Sequence, residues 1–173
     1  PQAGPLPGIT MERGVYSEAY SGDWASLPTG RELARHDLSE TVLEDVVGEQ
    51  ARTLWQNEKD VRLADRALRV RWQGPAKKMG TTLFTFRECR RVVLENLVII
   101  QDDPDYRAYD TIRIEDCDEV IVRNCYFGGT AQSYHLRLEG CALALIEKVE
   151  ISGRDYGEEK GMRCGGGIFI QNG

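Results

Sequence analysis

The sequence has few of the residues that mark common metal-binding and phosphate-binding motifs. It contains two histidines and five cysteines, and no Cys-x-x-Cys pair occurs. An odd cysteine number without such pairs suggests neither a zinc site nor a complete disulfide framework. The glycine run at 165–167 is not followed by Lys and then Ser or Thr, which argues against a phosphate-binding loop.

Long apolar runs and an excess of positive charge are also missing. The run at 92–100 is short and is interrupted by polar residues, so neither a transmembrane helix nor membrane insertion is predicted. The chain carries 22 Lys and Arg against 28 Asp and Glu, a net charge of −6. Nucleic-acid-binding domains usually present a basic face. Nucleic acid is therefore not an expected partner.

An internal repeat is the strongest pattern that is present. Segments 83–99, 111–127 and 135–151 align without gaps, and a fourth begins at Ile168. Each contains an alternating apolar stretch, a few polar residues, a Cys (Cys89, Cys117 or Cys141) and a second alternating run. This predicts two short strands joined by a tight bend. The connections at 100–110, 128–134 and 152–167 vary in length, as loops at one corner of stacked coils do.

Stacked coils place equivalent residues about 4.8 Å apart, so like residues form rows. Four apolar rows are predicted to point inward: Phe84, Ile112, Leu136 and Ile168; Phe86, Ile114, Leu138 and Ile170; Val92, Val120 and Ala144; Leu94, Val122 and Ile146. Asn96 and Asn124 align at a bend where their amides can bond to each other, and Lys148 ends that row. A weaker earlier unit, 55–68, adds Asp65 to the asparagine row.

The aligned Phe86, Cys89 and Asn96 rows resemble the right-handed parallel β-helix proteins of the pectate-lyase-like superfold, over about residues 53–173. The resemblance implies an all-β fold, a right-handed parallel β-helix (solenoid) of about four to five coils. The superfold hosts lyases, hydrolases, epimerases, phage tailspikes and non-catalytic surface proteins, so it implies no single activity. The Asn-Thr-Asp and Gly-His-Gly motifs of polygalacturonases do not occur in this chain.

Residues 1–52 precede the repeat and are predicted to form an extension and a cap, with the coils at 53–173. The spacing of Leu38, Val42, Leu43 and Val46 predicts a short amphipathic helix within 37–52 that closes the end of the solenoid. The alternative is a further coil, with 41–47 aligned on 92–98. The sequence stops soon after a strand-like run at 167–170, so we expect a fragment of a longer protein or a subunit with an open coil edge.

Outward positions and loops supply the candidate substrate-binding residues. In the lyases that the chain resembles, the first strand of each coil commonly carries the substrate groove, and here Arg113 and Arg137 point outward. They could bind the carboxylate or sulfate of an anionic sugar. Alternatively, Glu115 and Glu139 balance them in a solvated ladder. The remaining candidates for substrate contact are Arg107, Tyr134, His135 and Tyr156.

The acidic loop at 101–110 is the candidate metal site. Asp102, Asp103 and Asp105 are candidate Ca²⁺ ligands, candidate paired carboxylates of a glycosidase, or simple turn-forming residues. No other cofactor is expected.

Two further residue types have open roles. His135 is a candidate general acid or base, or a solvent-facing histidine at a strand end. Cys125 and Cys164 can pair in an oxidising compartment, whereas the cysteines of the repeat are expected to be buried thiols.

Three functions follow as hypotheses. The favoured one is a non-catalytic β-helix module of a secreted or surface protein, used for carbohydrate binding or assembly, with an extracellular or cell-surface location. The second is a polysaccharide lyase or glycoside hydrolase, or its N-terminal part, that acts on an anionic polysaccharide with Arg107, Arg113 or Arg137 as the base. The third is a structural subunit that associates with itself end to end through exposed coil edges.

Overall fold

The computed structural model describes residues 9–11, 36, 38, 43–71, 82–101, 108–129, 131–153 and 167–172. The elements in these residues are β1 (Ile9–Met11), β2 (Leu43–Val47), α1 (Gly48–Ala51), β3 (Thr53–Gln56), β4 (Asp60–Arg71), β5 (Phe84–Arg87), β6 (Arg91–Gln101), β7 (Ala108–Glu115), β8 (Glu119–Gly129), β9 (Ala131–Glu139), β10 (Leu143–Gly153) and β11 (Ile168–Gln171). Within this part of the chain, no helix is long and apolar enough to span a membrane.

The strands form two parallel sheets that wind into a β-solenoid of about three turns. Sheet A has the strand order β1-β10-β8-β6-β4-β2, and sheet B has the order β11-β9-β7-β5-β3. Each repeat adds one strand to sheet B and the next strand to sheet A, so neighbours from β3 to β11 lie one repeat apart in sequence. β1 is the exception, since it pairs with β10 from the other end of the chain. The predicted all-β solenoid of parallel strands is therefore confirmed. The right-handed sense and the number of coils stay predictions.

Residues that align in the repeats without gaps are the residues that pair between neighbouring strands. Phe84 pairs with Ile112, and Ile112 pairs with Leu136. All four predicted inward rows belong to one apolar core or pack against it. The weaker repeat at 55–68 is also confirmed, since Trp55 pairs with Phe86 and the two rings stack with centroids 4.6 Å apart.

The long strands of sheet A bend at a residue with positive φ. These residues are Asp65, Asn96, Asn124 and Lys148, with φ from 51° to 55°. Asparagine and aspartate tolerate this region better than other residues that have a Cβ. Asn124 Nδ2 donates to Asn96 Oδ1 at 2.9 Å, and Asn96 Nδ2 donates to Asp65 Oδ1 at 2.8 Å. The predicted row of side-chain bonds is present and reaches back to Asp65.

The segment before the repeat departs from the helix prediction. Leu43–Val47 is a strand that pairs with β4, and the helix is limited to Gly48–Ala51. The alternative, a further coil with 41–47 aligned on 92–98, has the wrong register, because Leu43 aligns through Ala67 with Val98 rather than with Leu94. The helix-like spacing arises because Leu43 packs on the outer side of sheet A while Val46 packs against the core.

The connection predicted at 128–134 is almost entirely strand. β8 continues to Gly129, and β9 begins at Ala131. Gly129 has φ +86° and pairs with Gln101 of β6. This close approach makes a tight corner and places Tyr134 and His135 within β9 rather than in a loop.

Candidate functional site: the outer face of sheet B

The outer face of sheet B carries three of the candidate residues that the structure describes, which are Arg113, Arg137 and Tyr134. Its two rows are Leu54, Thr85, Arg113, Arg137 and Phe169, and beside them Gln56, Arg87, Glu115, Glu139 and Gln171. Side chains alternate between the two sides of a strand. These rows therefore point away from the core, whose inward rows occupy the intervening positions.

Arginines and carboxylates on this face form a continuous ladder across strands. Glu115 lies 2.8 Å from both Arg87 and Arg113. Glu139 accepts hydrogen bonds from Arg113 at 2.9 Å and from Arg137 at 3.2 Å. Burial alone would raise the pKa of Glu139, but these arginines outweigh it and lower that pKa. The interpretation that Glu115 and Glu139 balance the arginines is confirmed.

Arg137 is the most enclosed arginine of the ladder. Its side chain is 12% exposed, and its Nε lies 3.0 Å from Oδ2 of the fully buried Asp110. Its Nη2 donates to Ser133 Oγ at 2.7 Å. The guanidinium carbon lies 5.0 Å from the ring centroids of both Tyr134 and Phe169, within cation–π range. Arg137 is thus fixed by protein groups on several sides.

The charge of Arg137 favours the ionised form of the buried Asp110 carboxyl. Burial raises the pKa of the Asp110 carboxyl, and the charge of Arg137 opposes that rise. The backbone N–H of Tyr134 also donates to Asp110 Oδ1 at 3.1 Å. The pair therefore joins β7 to β9, with its carboxylate fully buried.

We predict that Arg137→Lys lowers the free energy of unfolding by about 2 kcal/mol, because a lysine cannot reach Asp110, Ser133 and Glu139 together and charged hydrogen bonds contribute at this scale. Urea unfolding followed by circular dichroism measures the change. Arg87→Lys is the matched control, since Arg87 is exposed and pairs with Glu115 alone on this ladder. Equal losses in the two variants would contradict the special role of Arg137.

His135 lies inside the solenoid, and the expectation of a solvent-facing histidine is wrong. The residue is completely buried, and its ring stacks on Phe127. Its Nε2 lies 3.4 Å from the Gly129 carbonyl oxygen, and its Nδ1 lies 2.9 Å from Thr111 Oγ1. Because a carbonyl only accepts, Nε2 carries the hydrogen and Nδ1 accepts from the threonine hydroxyl. Burial lowers the pKa of His135 to about 4.

His135 is therefore separated from the arginine ladder. It points inward, whereas Arg113 and Arg137 point outward from the same sheet. Thr111 Oγ1 in turn accepts a hydrogen bond from Gln101 Nε2 at 3.1 Å, which completes a buried polar chain. The structure brings Tyr134 and Arg137 together on the outer face and leaves His135 in the interior.

The cysteines of the repeat are buried free thiols, as predicted. The Sγ atoms of Cys89, Cys117 and Cys141 each lie within hydrogen-bonding distance of backbone carbonyls. A hydrogen bond with Cys141 and burial raise the pKa of Cys117. Burial also raises the pKa of Cys125 to about 12, so its thiol stays protonated at neutral pH.

Several predicted site residues lie outside the described residues. They are Asp102, Asp103, Asp105, Arg107 and Tyr156, together with Cys164 as the candidate partner of Cys125. Among the residues that the structure does describe, no group of three or more His, Cys, Asp or Glu side chains is placed to hold a metal ion.

Two partners of Arg137 are not among the residues predicted from the sequence. Asp110 ends the acidic segment 101–110, but it stands only two residues before the inward-facing Ile112. Ser133 follows the glycine pair at 128–129, which is the sequence signal for a tight corner.

The fold and this face define a parallel β-solenoid repeat protein in which the outer face of sheet B carries paired arginines and carboxylates. Comparisons with protein-family models, with curated proteins and with solved structures gave no match.

Proposed function

We propose that the chain is a non-catalytic β-solenoid module of a secreted or surface protein, of the pectate-lyase-like type, that binds polysaccharide on the outer face of sheet B. The arginine–carboxylate ladder carries this proposal. A lyase would need a free arginine to neutralise the substrate or to take a proton. Of the candidate arginines that the structure describes, Arg113 is shared between Glu115 and Glu139. Arg137 is held by Asp110 and Glu139.

The same face has the chemistry of a glycan-binding surface. Arg113 remains about one-third exposed, so its pairs with Glu115 and Glu139 present both donors and acceptors to a ligand. The half-buried rings of Tyr134 and Phe169 lie on the same face, with centroids 5.0 Å apart. Because Glu115 and Glu139 offset the arginines, a hydroxyl-rich neutral glycan fits this face better than a densely anionic one.

Calorimetric titration of the purified chain with soluble neutral and anionic polysaccharides tests the proposal. We expect binding of a neutral polysaccharide, weakened about tenfold by Arg113→Ala, because a central contact residue of an interface contributes on this scale. Arg91→Ala is the matched control, since Arg91 lies on sheet A with comparable exposure and a single carboxylate partner, Glu119.

Two results would overturn the proposal. One is the absence of specific binding, seen either as no binding to any polysaccharide of the panel or as an equal loss of affinity in the Arg113→Ala and Arg91→Ala variants. The other is release of new reducing ends or unsaturated sugars on incubation, which would identify an enzyme instead.

A further inference from the structure

Three cysteines of the repeat form a row inside the solenoid. Cys89, Cys117 and Cys141 occupy the same place in successive repeats, at the bend between a strand of sheet B and the following strand of sheet A. All three are buried and belong to the apolar core. The glycan-binding face lies on the other side of sheet B and uses none of them.

The backbone holds two cysteines of this row in register. Two residues before Cys117 and Cys141, Glu115 pairs with Glu139. One residue after Cys141, the backbone N–H of Ala142 donates to the Cys117 carbonyl oxygen at 3.0 Å. Aligned residues of neighbouring parallel strands lie about 4.8 Å apart, which is within the range of Cα separations that a disulfide can bridge.

The side chains of these two cysteines are also in contact. A hydrogen bond joins the thiols of Cys117 and Cys141. In the neighbouring pair, Cys117 Sγ instead accepts from the backbone N–H of Cys89 at 3.4 Å. The Sγ atom of Cys89 lies within hydrogen-bonding distance of the carbonyl oxygens of Trp55 and Arg87. The contact between thiols therefore singles out Cys117 and Cys141 as the pair.

The hydrogen bond makes the two thiols chemically unequal. It stabilises the thiolate of Cys141 and lowers the pKa of that residue, whereas it helps to hold the proton on Cys117 and raises the pKa there. The thiolate is the nucleophile in thiol–disulfide exchange. Cys141 is therefore the attacking sulfur of the pair, and Cys117 is the sulfur that completes the exchange.

We propose that Cys117 and Cys141 form a disulfide between successive coils when the chain folds in the presence of a small disulfide such as oxidised glutathione. The Cys141 thiolate attacks one sulfur of the small disulfide and releases one thiolate, which leaves a mixed disulfide on Cys141. Cys117 then loses its proton, and its sulfur attacks Cys141 Sγ and releases the second thiolate. The released thiolates take up the two protons of the protein thiols. The protein thus loses two electrons, and the small disulfide becomes two thiols.

The bond would staple two coils that are otherwise joined only by non-covalent contacts. Cys117 and Cys141 lie 24 residues apart in sequence, so the disulfide restricts the unfolded chain over one whole repeat. Because both sulfur atoms are buried in the folded chain, we expect the exchange to occur while the coil that carries Cys141 closes on the coil that carries Cys117. The staple is independent of polysaccharide binding, which uses the outer face of sheet B.

Refolding of the reduced chain from urea in a buffer of oxidised and reduced glutathione tests this inference. After the remaining thiols are alkylated, trypsin places each cysteine on a separate peptide, since an Arg or Lys lies between every two cysteines of the sequence. We expect mass spectrometry to find the peptide of Cys117 linked to the peptide of Cys141, with a mass lower by two hydrogen atoms than the sum of the two. A folded wild-type chain in which these peptides stay unlinked would overturn the inference. A link from Cys117 to Cys89 would also overturn it, because stacking without thiol contact would then choose the pair.

Thermal unfolding with and without dithiothreitol gives a second measurement. Reduction is expected to lower the melting temperature of the wild-type chain by about 5–10 °C more than that of Cys141→Ala, because only the wild type loses this staple. Cys89→Ala is the matched control, since it removes the third cysteine of the same row and keeps the proposed pair. Circular dichroism first verifies that each variant is folded. Equal effects of reduction in all three chains would contradict the inference.

Discussion

Replacing Gly129 with alanine is expected to lower the free energy of unfolding by about 4 kcal/mol or more, enough to unfold a marginally stable domain. A Cβ at this position would lie 2.1 Å from the Gln101 carbonyl oxygen. That oxygen belongs to the backbone of β6, which β8 must contact along its whole length, so the strands would have to separate. The positive φ of Gly129, +86°, adds strain for any residue that has a Cβ.

Gly167→Ala is the matched control. Gly167 has nearly the same backbone angle, φ +82°, but an added Cβ there meets no atom within 4 Å. Only the backbone strain remains, and we expect a loss of about 1–2 kcal/mol. Urea unfolding of both variants separates crowding from strain. Similar losses in the two would contradict the argument that the contact between Gly129 and Gln101 is decisive.

The architecture was predictable because a solenoid repeats its contacts at a fixed spacing in sequence. Phe86, Ile114 and Leu138 align in the sequence for the same reason that they stack in space, since each coil adds one strand to the same sheet. The asparagine row was equally predictable from the sequence, because a bend with positive φ favours the same residue type in successive coils.

The candidate site was less predictable because its contacts do not repeat. The ladder is the exception, because Arg113 and its two carboxylates belong to aligned rows and their pairing could be predicted from the alignment. The Asp110–Arg137 pair lies where β8 passes into β9 through a tight corner. The connections at 100–110 and 152–167 differ from this corner in length, so the alignment of the repeats does not predict the pair. The strand at Leu43–Val47 was obscured because burial on both sides of sheet A removes the usual strand alternation.

The interior position of His135 makes the solenoid sensitive to acid. In the folded chain its pKa is about 4, below the ordinary value of 6.5. Above pH 6.5 both folded and unfolded states hold a neutral imidazole, and the full stability is present. As the pH falls from 6.5 towards 4, the unfolded chain binds a proton that the folded chain excludes. We expect a loss of about 2–3 kcal/mol of unfolding free energy between pH 6.5 and 4.5.

The geometry explains why the proton is excluded. Nε2 already donates to Gly129, and Nδ1 accepts from Thr111, so a second proton would have to displace the threonine hydroxyl hydrogen without access to water. Arg137 and Asp110 of the same sheet lie on its outer side and are paired with each other. They offer no counter-ion to an imidazolium in the core.

His135→Gln isolates this effect, because a glutamine amide can donate to Gly129 and accept from Thr111 but does not titrate. The variant is expected to be less stable at pH 7 and to lose stability less steeply than wild type between pH 6.5 and 4.5. Carboxylates such as Glu139, whose pKa lies below the ordinary 4.5, lose their contribution only at lower pH, and they are present in both chains. Urea unfolding at a series of pH values measures the two slopes. Equal slopes would show that the buried imidazole does not control acid stability, and a difference approaching about 1.4 kcal/mol per pH unit would assign one proton to it.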